Sequence, residues 1–177
     1  MAQSTTPTGT PPIEQLRTLV DLLENPTLAR IYIYVLQTDG ATVENLITNL
    51  DIPQGTAYDY TGKLEEGGLI TKTREERPYE FAAEPLSITL TTDGEARTIT
   101  AELVDAVGRR EVVEDIDVYL DRHGIDGLAT ALEYAHEYVD GTVNHRIMAR
   151  ELDLSPLEAE IILQALEPVV LRHRNDE

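Results

Sequence analysis

Apolar residues recur at helical spacing over most of this 177-residue chain, with strand-like alternation near its middle. Ile13, Leu16, Leu19, Val20 and Leu23 share one side of residues 13–23, an amphipathic helix whose apolar face needs a partner. Asn25-Pro26 follows as an N-cap with proline at the first helical position. The next helix, 26–38, has Leu28, Ile31, Tyr32, Val35 and Leu36 as its stripe and Gly40 placed to close it. The alternation within residues 31–36 also suits a strand, but the Asn-Pro start, the Gly stop and the length favour a helix.

Residues 42–70 carry the strongest pattern. Val43, Leu46, Ile47 and Leu50 mark one helical face, and Asp51-Ile52-Pro53 interrupts it, with Pro53 suited to the first position of a new helix. The second helix buries Ala57, Thr61 and Leu64, with Tyr60 beside them, and stops at Gly67-Gly68. Two short helices joined by a tight turn form a helix-turn-helix, whose second helix can enter a DNA major groove. Ile70, Thr71 and Thr73, then Tyr79 and Phe81, flank a charged tip at 74–78, the pattern of a β-hairpin and hence of a wing. Residues 87–91 have the alternation of a further strand.

From Asp93 onward the pattern predicts helices at 95–122 and 125–139. Ile99, Leu103, Ala106, Val107, Val113, Ile116 and Leu120 mark the first, with a break near Gly108-Arg109-Arg110. Leu128, Leu132, Ala135 and Val139 mark the second, with His123-Gly124 before it and Gly141 after. The final segment repeats the earlier one at a constant offset: Leu50, Asp51, Ala57 and Leu64-Glu65 meet Leu152, Asp153, Ala159 and Leu166-Glu167. Ser155-Pro156-Leu157-Glu158 reads as a capping box. A second helix-turn-helix-like unit, at 142–167 and without a wing, is therefore expected. The fold class is mainly α with a small β-wing. The expected divisions are a disordered tail at 1–12, rich in Thr and Pro, a winged helix at 13–92 and a helical domain at 93–177.

Composition narrows the chemistry. The absence of cysteine excludes disulfides, thiolate metal sites and thiol nucleophiles. No uncharged apolar run approaches the roughly 20 residues of a membrane helix, and residues 1–12 lack the blocks of a signal peptide, so a soluble cytoplasmic protein is expected. Fourteen basic against thirty-three acidic residues give a net charge of −19, and only two of the basic residues are lysines. That balance fits a halophilic protein working at molar salt, where the Debye length is about 3 Å and self-repulsion is screened. The acidity is uneven: −12 over residues 93–177 against −5 over 26–92.

Leu50-x-Ile52-Pro53-x-x-Thr56-Ala57 followed by Leu64-Glu65-Glu66-x-Gly68-Leu69-Ile70 resembles the winged helix-turn-helix transcriptional regulators of the ArsR-like and TrmB-like group. Residues 144–150 and the terminal helices resemble regulators from halophilic archaea. The resemblance implies a recognition helix over 53–66 that presents Gln54, Thr56, Tyr58, Asp59 and Lys63 to double-stranded DNA. It also implies a wing at 69–83 that brings Lys72, Arg74 and Arg77 to the backbone. A homodimer on two half-sites follows from the same resemblance. The helices at 95–122 and 125–139 suit dimerisation, an unknown small-molecule effector or a protein partner, and their stripe of Ile99, Leu103, Ala106 and Val107 equally suits an intramolecular core.

Both lysines lie in the recognition helix and wing, where the sequence is locally neutral, and phosphate contact is the functional reading. A solvated hairpin is the plainer alternative. Tyr58 is preferred to Tyr60 for DNA, since Tyr60 has the phase of a core-edge residue. The Gln54 amide suits adenine, although at a helix start it also suits plain solvation. His136-Glu137 with His145 hints at a metal, but Asp140 stands where the zinc-protease spacing needs histidine. No Gly-rich phosphate loop or nucleophile elbow is present. No catalytic residue, metal or cofactor is therefore assigned, and the chain is expected not to be an enzyme. The leading expectation is a sequence-specific DNA-binding regulator. The alternative is a winged-helix module that binds protein, which Asp59 and the net charge favour.

Overall fold

The structure, a computed structural model, describes residues 11–175. The expected tail therefore lies outside the described residues over 1–10, and its last residue, Pro12, already opens the first helix. The elements in order are α1 (Pro12–Glu24), α2 (Pro26–Gln37), β1 (Ala41–Thr42), α3 (Val43–Leu50), α4 (Gln54–Glu66), β2 (Thr71–Lys72), β3 (Glu80–Ala82), β4 (Ser87–Thr92), β5 (Glu95–Thr100), α5 (Ala101–Arg109), α6 (Glu114–Val139), α7 (His145–Leu152) and α8 (Pro156–Asn175). They divide into two compact units between Val104 and Asp105.

The first unit is a winged helix. Asn25 caps α2 by accepting from the Leu28 N–H at 3.1 Å, and its amide donates to the Tyr60 hydroxyl at 3.0 Å, which ties α2 to α4. Thr42 opens α3 with a reciprocal box: its hydroxyl accepts from the Asn45 N–H and its N–H donates to the Asn45 side chain. Pro53 sits one position earlier than expected. It is the extended N-cap (φ −60°, ψ 146°), and Gln54 is the first helical residue. Leu22, Leu28, Ile31, Tyr32, Leu46, Ala57, Leu64 and Ile70 are buried together with Phe81 of the wing. Among these helices, Gly67 is fixed by space: a Cβ there would lie 2.2 Å from Thr18 Oγ1, so only glycine lets α1 approach the end of α4.

The wing pairs β2 with β3 antiparallel, Lys72 opposite Phe81, and β1 adds to the far side of β3 to give the order β1-β3-β2. The buried Tyr32 hydroxyl donates to the Glu84 carbonyl at 2.8 Å and accepts from the Leu86 N–H at 2.9 Å, pinning the chain that leaves the wing. Burial pushes its phenol pKa well up.

Residues 95–100 are not helical. They form β5, which pairs with β4 over Ser87↔Thr100 to Thr92↔Glu95, so residues 93–100 belong to a second hairpin rather than to the expected helix. Asp93 (φ 52°) and Gly94 (φ 85°) are both left-handed and supply the two-residue turn whose twist suits a hairpin. Helix begins only at Ala101, whose N–H donates to the Leu86 carbonyl.

In the second unit α6 and α8 pack along one another and α7 closes against α8. Non-helical Gly124 (φ 70°) divides α6 where the sequence predicted a stop. Asp105 is 4 % exposed; it accepts from Arg109 Nε at 3.1 Å, and its other oxygen lies 2.9 Å from His173 Nε2. Burial alone would raise its pKa, but the hydrogen bonds from His173 and Arg109 and the charges of Arg109 and Arg172 outweigh it and hold the carboxyl below its ordinary value.

The internal repeat is visible in three dimensions. Val43 and His145 open α3 and α7, Asp51 and Asp153 close them, and Gln54 and Pro156 open α4 and α8, each pair separated by 102 residues. Both aspartates are left-handed, at φ 52° and 55°. Thr42 and Asn144 are the matching side-chain caps. Leu46 and Met148, Ala57 and Ala159, and Leu64 and Leu166 are all fully buried. The expected capping box at Ser155 is half formed. Ser155 Oγ accepts from the Glu158 N–H at 3.1 Å, whereas the Glu158 carboxylate turns to His123 at 2.8 Å and Arg122 at 3.6 Å.

Candidate nucleic-acid interface

The α4 helix presents an exposed surface because its other side is fixed in the core. Ala57, Thr61 and Leu64 are buried. Thr61 is accommodated there by donating its hydroxyl to the Ala57 carbonyl at 2.6 Å, so no buried polar atom of its side chain is left over. Gln54, Gly55, Tyr58, Asp59, Lys63 and Glu66 are exposed, and Thr56 is half-buried. At 100° per residue, Gly55, Asp59, Gly62 and Glu66 form the ridge opposite the core. A Cβ built on Gly55 or Gly62 would meet nothing within 4 Å. Gln54 and Tyr58 flank the ridge on one side, Thr56 and Lys63 on the other. Tyr58 is 54 % exposed, whereas Tyr60 is half-buried and engaged by Asn25.

The wing cations are held rather than loose. Lys72 Nζ lies 3.8 Å from Glu65 of α4 and 4.3 Å from the centroid of the Tyr79 ring, and Arg77 lies over the same ring at 5.8 Å. Arg74 reaches Glu80 at 3.9 Å. On α4 itself, Lys63 Nζ is 3.3 Å from Asp21 of α1. Three of the four candidate cations thus have a carboxylate in range that any phosphate must displace. Tyr79 escaped the sequence reading as a site residue. Its signal was an aromatic side chain just after Arg77 on the returning strand of a basic hairpin.

These pieces make an exposed second helix behind a left-handed Asp turn, with a partly basic hairpin alongside. Residues 26–87 match the family model described as the sugar-specific transcriptional regulator TrmB. The TrmB match spans α2 to the start of β4 and so contains the helix-turn-helix and the wing. Residues 110–175 match a family of unknown function, DUF7437. No match was found among curated proteins or among solved structures.

A cavity of about 490 Å³ lies in the TrmB-like unit, lined by Gln15, Tyr32, Leu69, Thr71 and residues 82–88. No group of three metal-ligating side chains gathers among the described residues, and none of the described helices is long and apolar enough to cross a membrane.

Proposed function

We propose that this protein is a sequence-specific DNA-binding transcriptional regulator in which α4 enters the major groove and the wing lies along the backbone. The observation that carries this reading is the conjunction of an exposed α4 face with a hairpin at its side that holds Lys72, Arg74 and Arg77, inside the segment matched by a regulator family. Gln54 and Tyr58 are assigned to base edges and sugar, Thr56 to the groove wall, and Lys63, Lys72, Arg74 and Arg77 to phosphates. Asp59, at the centre of the ridge, meets the groove where a cytosine amino group can donate to it. The protein acts as a homodimer on two half-sites, in the cytoplasm, without chemistry of its own. The helical region at 93–177 is the proposed seat of a small effector or protein partner.

The test is selection of genomic fragments at molar KCl followed by sequencing of what is retained. An enriched palindromic motif supports the reading, and Gln54→Ala then alters the preferred base while Lys63→Ala weakens every fragment alike. Absence of retention by the folded protein refutes it. A winged-helix module that binds a protein is the second reading. The observation favouring it is the ridge itself, whose only charged residues are Asp59 and Glu66.

A further inference from the structure

The two helix-turn-helix units share their buried positions and differ on the side that faces away from the core. In the first unit the α4 ridge is Gly55, Asp59, Gly62 and Glu66. At the same places in the repeat stand Leu157, Ile161, Gln164 and Pro168, and the α8 ridge continues to Leu171. Leu157 is 64 %, Ile161 37 % and Leu171 43 % exposed, so the recognition position of the second unit is an uncovered apolar stripe.

The spacing of that stripe identifies its occupant. Residues 157, 161, 164, 168 and 171 advance by alternating steps of four and three, the seam spacing of a left-handed coiled coil rather than of a groove filler. The middle position, Gln164, is polar and exposed and bonds to its own neighbour Glu160, at 3.5 Å. A single amide at a seam position selects register by pairing with its own copy across the interface. The flanks differ in charge. One carries Glu160, Glu167 and Arg174, and the other carries Glu158, Ala165 and Arg172. Two parallel copies set Glu167 of one opposite Arg172 of the other, whereas two antiparallel copies set Glu160 opposite Glu167 and offset that repulsion only with Glu158 opposite Arg172, a carboxylate already held by His123.

We infer that α8 pairs in parallel with α8 of a second copy of this chain through Leu157, Ile161, Gln164 and Leu171, so that the second helix-turn-helix is a dimerisation element. This inference deepens the dimeric part of the function proposed above by assigning its surface, and its test requires no DNA.

Sedimentation of the full chain in molar KCl gives a dimer at tens of micromolar, and Ile161→Asp, a change at an exposed position, gives a monomer with the far-ultraviolet circular dichroism spectrum of the wild type and a melting temperature lowered by the lost association. Because the chain has no cysteine, Leu157→Cys places a single thiol that oxidises to a covalent dimer when the helices are parallel. In the antiparallel arrangement the two thiols are about 21 Å apart, fourteen residues along a helix, and Leu157→Cys with Leu171→Cys cross-links instead. A wild-type monomer, a dimer unaffected by Ile161→Asp, or cross-linking of the double variant alone each overturns the inference. Loss of DNA retention with the dimer intact counts against the regulator reading and leaves this one standing.

Discussion

Replacing Asp21 by asparagine removes the carboxylate that holds Lys63 and tests whether this lysine serves DNA. The pair is 3.3 Å long, with side chains 49 % and 31 % exposed. At that exposure an ion pair contributes about 0.2–1 kcal/mol. A phosphate that captures Lys63 must first overcome that attraction, so Asp21→Asn raises DNA affinity by at most about five-fold. The number of phosphates neutralised does not change, so the dependence of log K on log [KCl] keeps its slope. Lys63→Ala lowers affinity and flattens the slope by about 0.9, the yield of one lost phosphate contact. The double variant behaves as Lys63→Ala alone. Fluorescence anisotropy of a labelled operator over a range of KCl reads all three, with Glu24→Gln on the same helix as the control for net charge. A Lys63→Ala variant with wild-type affinity and slope refutes the phosphate role. Equal weakening by Asp21→Asn and Lys63→Ala would mean that Asp21 positions the lysine rather than competing for it.

Three further outcomes are expected. Gly67→Ala drives a methyl group into Thr18 and costs about 1–3 kcal/mol, whereas Gly62→Ala, in open space on a helix, stabilises by up to about 1 kcal/mol; thermal melts of the two should move in opposite directions. If the α4 ridge lies against DNA, the stabilised Gly62→Ala variant also binds more weakly. The carboxyl of Asp105 is held below its ordinary pKa, so its contribution is complete above the unfolded value near 4 and is lost as pH falls through the folded one. Asp105→Asn costs about 1.5–3 kcal/mol at neutral pH, less than a fully buried pair because Arg109 and Arg172 reach solvent, and urea titrations at pH 7 and pH 3 should show that difference shrinking. The net charge of −19 makes stability depend on salt: melting temperature rises from 10 mM to 1 M KCl as the Debye length falls from about 30 Å to about 3 Å, and an unchanged value rejects halophilic design.

The winged helix was legible because its cues are local. Asn25-Pro26, Pro53 and Gly67-Gly68 mark ends, and the stripes between them are regular enough to separate core from surface. The repeat was legible for the same reason, since Asp51 and Asp153 carry the turn on their own backbones. β5 was lost to a coincidence of period: Ile99, Leu103, Ala106 and Val107 follow a helical rule even though Ile99 is paired in a strand. The competing signal was Asp93-Gly94 between two alternating runs, a turn whose demand for positive φ outranks a helical stripe begun by one isoleucine. The site residues could be placed on the right surface, but not their restraints. Asp21 meets Lys63, and Thr18 demands Gly67, only once α1 lies against α4, and no spacing along the chain encodes that contact.

The acidity of the chain and its duplicated helix-turn-helix bear on the same energetic problem. Lys63, Lys72 and Arg74 each have a carboxylate within 4 Å, so a bound phosphate replaces an existing attraction instead of neutralising a free charge. At molar salt the counterion-release term that normally dominates binding to DNA is also small. A single winged helix under those conditions relies on base-edge and groove contacts from a few residues of α4, each good pair contributing about 1–3 kcal/mol. Joining two such units makes the second contact intramolecular and multiplies affinity without another cation. The α8 pairing inferred above would supply that join. Apolar association is not screened by salt, whereas repulsion between two copies of charge −19 is, so a dimer paired through α8 would tighten in the same conditions that weaken phosphate binding. On its outward ridge the first copy of the repeat has Gly55 and Gly62 in open space, where the second has Leu157 and Gln164, and Ile161 of the second stands in the place of Asp59. The two units thus differ on the outward ridge while the positions that build the scaffold, Leu46 and Met148 or Leu64 and Leu166, are buried and apolar in both.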